Sequence, residues 1–109
     1  MQWYAEFMEK FKKEIEELRN KMKAKGYPEG LINRAIWQAY GRAVGYAFKY
    51  FDHDHPERAK AIAEETFPKY LKDAEKWARE WLGSVFGVEI GEGENVASYI
   101  KKLRETIGE

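Results

Sequence analysis

Apolar residues recur at spacings of three and four through most of this 109-residue chain. Trp3, Phe7, Phe11, Ile15, Leu18 and Met22 make the first such stripe, with Met8 at its edge. The period is that of an α-helix and predicts one over residues 2–25. Charged residues fill the gaps between them, with Glu9 placed for Lys13 and Glu17 for Lys21 at i,i+4 spacing. The run of lysines and arginine from Lys10 to Lys25 is therefore read as a salt-bridged solvated face. A phosphate-binding face would want fewer acids. Gly26 is a natural C-cap, and Tyr27-Pro28-Glu29-Gly30 makes the turn that follows.

The second predicted helix, residues 29–51, is apolar over most of its circumference. At 100° per residue, Arg34, Gln38, Arg42 and Lys49 fall in one sector of roughly 80°. Ala35, Ala39 and Ala43 line one part of the remainder; Ile36, Trp37, Tyr40, Val44, Phe48 and Phe51 line another. A helix apolar nearly all round is expected to be buried. Gly41 and Gly45 belong to the polar sector, where each costs about 1 kcal/mol against alanine. Glycines so placed point to close approach by another backbone or a ligand.

Asp52-His53-Asp54-His55-Pro56-Glu57 interrupts the pattern. Asp54 with Glu57 has capping-box spacing, and Pro56 suits a first turn. A third helix starts there and meets Pro68, which cannot donate to the Glu64 carbonyl. Thr66 is placed to cap a restart, so a kink or break is expected between Glu65 and Pro68. The stripe resumes with Phe67, Tyr70, Leu71, Ala74, Trp77, Ala78, Trp81 and Val85. Gly83, Gly87, Gly91 and Gly93 punctuate a looser stretch with Val88-Glu89-Ile90 extended. Asn95 then caps a last helix carrying Val96, Ile100, Leu103 and Ile107, stopped by Gly108. The expected fold is all-α: a compact four- to five-helix bundle with a Pro-kinked third helix, one domain over residues 1–109.

Composition adds constraints. Lysine plus arginine equals aspartate plus glutamate, 19 each, so no net field attracts nucleic acid or anionic lipid. The balance is uneven along the chain: residues 1–51 carry a net +4 and residues 52–109 a net −4. Complementary halves can attract within one molecule or across a dimer, although an uneven solvated surface is the plainer reading. With no cysteine there is no disulfide, thiolate metal site or cysteine nucleophile. Neither a secretory leader nor a membrane-length apolar run is present, so a cytoplasmic location is expected. Abundant Glu and Lys with few Asn, Gln, Ser and Thr resemble thermophile composition.

Three sets of residues carry candidate chemistry. His53 and His55 share a loop with Asp52, and imidazole with carboxylate ligates zinc and similar divalent ions. A metal there needs a further ligand such as Glu57; the plainer reading is a solvated connection, with no resident cofactor. Trp37, Tyr40, Trp77, Trp81 and Phe86 can line a pocket for a flat or greasy molecule. Aromatics at helical spacing more often fill a core. Gly41, Gly45 and Trp37 mark the third candidate, a helix-contact interface.

The leading expectation is a protein that acts by protein–protein contact, most simply as a homodimer or with another protein partner. The rival is a small-molecule or metal-binding domain using the His53/His55 loop or the aromatic set. Catalysis has least support, since no phosphate-cradling glycine loop, serine elbow or paired Glu-x-x-His motif occurs.

Overall fold

The computed structural model describes residues 3–50 and 55–108. Among them are five helices and no strand: α1 (Tyr4–Lys10), α2 (Lys12–Ala24), α3 (Glu29–Tyr50), α4 (Pro56–Phe86) and α5 (Ala97–Thr106). The all-α expectation holds. None of these helices is long and apolar enough to cross a membrane.

The first predicted helix divides at Phe11, whose φ of −104° and ψ of 24° leave helical values. The ladder nevertheless runs through it. The Phe11 amide donates to the Phe7 carbonyl at 2.9 Å, and the Ile15 amide to the Phe11 carbonyl at 2.9 Å. The expected Glu9–Lys13 and Glu17–Lys21 pairs do not form. The charges of this hairpin arm reach across to other elements instead: Lys10 to Glu64, Arg19 to Glu29 and Glu6 to Lys60. At its end Gly26 takes φ +93°, the left-handed conformation that closes a helix. Its amide donates to the Lys23 carbonyl at 3.0 Å and that of Tyr27 to the Met22 carbonyl at 3.1 Å. A Cβ on Gly26 would lie 2.9 Å from the Ala97 backbone nitrogen, so this turn also seats the start of α5.

Helix α4 is the spine. Its 31 residues at 1.5 Å rise span about 46 Å, matching the 47 Å long axis of the molecule. It begins with Pro56 in its first turn and His55 at the N-cap position, where no side-chain hydrogen bond forms; Asp54 lies outside the described residues. The break expected before Pro68 does not occur. Thr66 caps nothing; its hydroxyl donates back to the Ile62 and Ala63 carbonyls at 3.0 and 3.3 Å. Buried Phe67 and Leu71 flank the proline, and each is worth about 1.5–3 kcal/mol of burial. That is enough to hold the helix through one missing amide.

Residues 88–91 have no regular structure, although Ile90 is buried. The Val88 carbonyl oxygen would stand 2.6 Å from a Cβ on Gly83, a close approach that only glycine permits. Asn95 caps as expected, its Oδ1 accepting the Ala97 amide at 2.9 Å.

The core lies between α3 and α4, with α1 and α2 laid across them. Tyr40 sits at its centre, 5.2 Å from the Phe7 ring and 6.3 Å from Phe67, both nearly perpendicular to it. Its hydroxyl is buried near the Trp3 backbone, but no contact among the described residues has hydrogen-bond geometry. An unpaired buried hydroxyl is costly. Tyr40→Phe is therefore expected to stabilise the fold by about 1 kcal/mol in urea unfolding, and a loss of stability would contradict this account.

Candidate interaction face

Helix α3 shows where sequence periodicity misleads. Its buried residues, from Ile32 to Ala47, cover only about half the circumference. The other half faces outwards and carries Trp37, 51% exposed; Tyr46 and Tyr50 are also exposed, but at the C-terminal end of α3 and in the sector of the buried alanines. The expectation of a helix buried nearly all round is corrected. The reason is packing. Alanines 35, 39, 43 and 47 of α3 and 59, 63, 74 and 78 of α4 are all buried, and such small side chains let the pair pack closely. One long neighbour and the α1–α2 arm then cover one face of α3.

Gly41 and Gly45 lie on the uncovered side, both exposed. A Cβ added at either would meet nothing within 4 Å. Among the described residues nothing uses their small size, in contrast to Gly26 and Gly83. Trp37, one turn before Gly41, packs edge-on against Tyr4 at 4.8 Å, touches the Tyr40 ring at 5.7 Å and leaves about half its surface to solvent. The three expected interface residues therefore form one surface.

The aromatic set divides. Trp37 of α3 and Trp77 and Trp81 of α4 converge on a cleft of about 340 Å³, with Leu31, Arg34 and Gln38 completing it. Tyr40 belongs to the core instead, and Phe86 packs on Tyr99 of α5 at 5.5 Å. The Arg42 guanidinium lies 4.2 Å from the Trp77 ring, a cation–π contact that props the indole from outside. A second hollow continues past Leu31, Arg34 and Trp81 to Leu103, Arg104 and Ile107 of α5. The two form a single groove. No acidic side chain lines either part.

The histidine loop stands apart. Asp52 and His53 lie outside the described residues, and His55 is exposed at the start of α4. Among the described residues no three histidine or acidic side chains are grouped to hold a metal.

One polar centre escaped the sequence. Glu75, only 4% exposed, accepts the Tyr27 hydroxyl at 2.7 Å and faces Arg79 at 3.2 Å and Lys25 at 3.6 Å. Burial first, and then the hydrogen bond to Glu75, push the Tyr27 hydroxyl well above the ordinary tyrosine value. Only the Glu75–Arg79 spacing was visible beforehand; Tyr27 is 48 residues away. This centre ties the α2–α3 turn to α4 and has no open face for a ligand.

Neither a family model, a curated protein nor a solved structure matches this chain.

Proposed function

We propose that this chain works by protein–protein contact and associates with itself through the outward face of α3. The observation that carries the reading is the pair Gly41 and Gly45, open to solvent beside exposed Trp37 on the same side of α3. Each glycine costs about 1 kcal/mol of helix propensity, and the described residues recover none of it. An approaching helix would. Tryptophan and arginine, two of the side chains that dominate binding hot spots, share this side of the helix as Trp37 and Arg34. A closed two-fold pair is the simplest assembly that covers such a face.

Sedimentation equilibrium tests it. The wild type is expected to form dimers at micromolar concentration, and Gly41→Leu or Gly45→Leu to weaken them at least 10-fold. Since a side chain there meets nothing within the subunit, both variants should keep their helical circular dichroism. A wild type that stays monomeric at high micromolar concentration overturns the proposal.

The tryptophan cleft favours a second reading, in which a flat molecule lies against Trp37 and Trp81. Its volume of about 340 Å³ is within the range of small-molecule sites. Native mass spectrometry of the purified protein would show a retained ligand as added mass.

A further inference from the structure

The groove that runs from Trp37 past Arg34 to Ile107 is apolar along its floor and cationic at its edge. Arg34 lies where its two parts join, Arg104 at its far end, and neither makes an ion pair among the described residues. The α3 side of it has one sign. Residues 30–50 of α3 include Arg34, Arg42 and Lys49 and no acid.

The opposite pattern exists elsewhere on the same chain. Residues 81–100 contain no lysine or arginine and carry Glu89, Glu92 and Glu94. Glu94 is engaged by the Gly91 amide, whereas Glu89 and Glu92 are exposed and make no ion pair or hydrogen bond among the described residues. Val88 is exposed beside Glu89, at 45%. This end of α4 thus offers what the groove lacks: carboxylates next to a small apolar side chain.

The two surfaces do not meet within one molecule. Trp81 lines the groove, while Gly83 lies beneath the loop that carries Glu89. Two residues apart on a helix is about 200°, so groove and loop occupy opposite sides of α4. Facing apart on one molecule, they can meet only between two copies.

We propose that a second copy of this chain fills the groove, seating its residues 88–92 against Trp81 and Leu31 with Glu89 and Glu92 facing Arg34 and Arg104. The inference rests on the self-association proposed above and adds to it a second pair of surfaces, apart from Gly41 and Gly45. Attraction between opposite patches steers the encounter and fixes its register, and it weakens as salt shortens the screening length.

Charge exchange tests the pairing. Arg34→Glu/Arg104→Glu and Glu89→Lys/Glu92→Lys alter only exposed side chains, and circular dichroism checks that each double variant keeps its fold. In sedimentation equilibrium each alone should associate at least 10-fold more weakly than wild type. In an equimolar mixture every groove meets a segment of opposite sign, so association should return to within about 3-fold of wild type. If both double variants associate like wild type while Gly41→Leu does not, this pairing is wrong and self-association through α3 stands. If each weakens but the mixture fails to recover, the charges act without pairing and the inference falls. A monomeric wild type removes both readings together.

Discussion

Glu75→Ala is expected to lower the stability of this domain by about 3 kcal/mol, read as a reduced urea midpoint. Breaking a buried ion pair by removing one partner typically costs 3–5 kcal/mol, because the charges left behind stay desolvated. Here Arg79 and Lys25, both largely buried, lose their carboxylate, and the Tyr27 hydroxyl loses its acceptor. Tyr27→Phe keeps both ion pairs and should cost less, about 1.5 kcal/mol, as for one hydrogen bond to a charged group. The same tyrosine gives an alkaline signature. Its pKa is raised in the folded state, so its contribution is full below the unfolded value of about 10 and is lost as pH climbs from there. Stability of the wild type should fall more steeply above that pH than stability of Tyr27→Phe. Equal slopes would show that the hydroxyl contributes nothing through its ionisation.

Phe67→Ala should cost more still, about 4 kcal/mol. Phe67 is fully buried, with the rings of Phe7 and Phe11 at 5.6 and 5.2 Å and Tyr40 beyond. Truncating a buried phenylalanine removes its transfer free energy and leaves a cavity that three aromatic rings on separate helices cannot collapse into together. The residue also stands next to Pro68, so its loss weakens the packing that carries α4 through the missing amide. Guanidinium unfolding measures the change. A loss below about 1.5 kcal/mol would mean that the core repacks around the site.

The helices were legible because burial on one side imprints a 3.6-residue period, and that imprint is local. In the first stripe Phe7, Ile15, Leu18 and Met22 are buried and Phe11 half-buried; in the last, Val96 and Ile100 are buried, Leu103 is half-buried and Ile107 is exposed beyond the helix end. What the period cannot report is how many neighbours a helix has. Residues 29–51 read as apolar nearly all round, yet α3 has neighbours on one face only, and Trp37 is left half in solvent. At Pro68 the local rule allowed a kink or a break; that α4 runs unbroken there reflects the burial of Phe67 and Leu71, which no local rule reports. Nothing in the sequence marks Glu75 as buried. Its burial depends on Tyr27 and Lys25 arriving from another turn, and no local pattern encodes that meeting. Of the candidate site, Gly41, Gly45, Trp37, Trp77 and Trp81 were all visible by spacing. The part played by Arg34 and Arg104 was not, since it emerges only where α3, α4 and α5 converge.

Lys25 closes a circuit in the chain. Its carbonyl accepts the Val96 amide at 2.7 Å, while its ammonium group reaches Glu75. The segment between Lys25 and Val96 contains both long helices, so this residue works as a clasp joining the two ends of a loop that holds most of the core. The last helix is therefore fastened to the end of α2 and not only to the helix before it. Undocking α5 would open the clasp, release the turn at Gly26 and let water reach the buried carboxylate of Glu75. Chain-terminal fraying and the integrity of the central charge cluster are in this way one event.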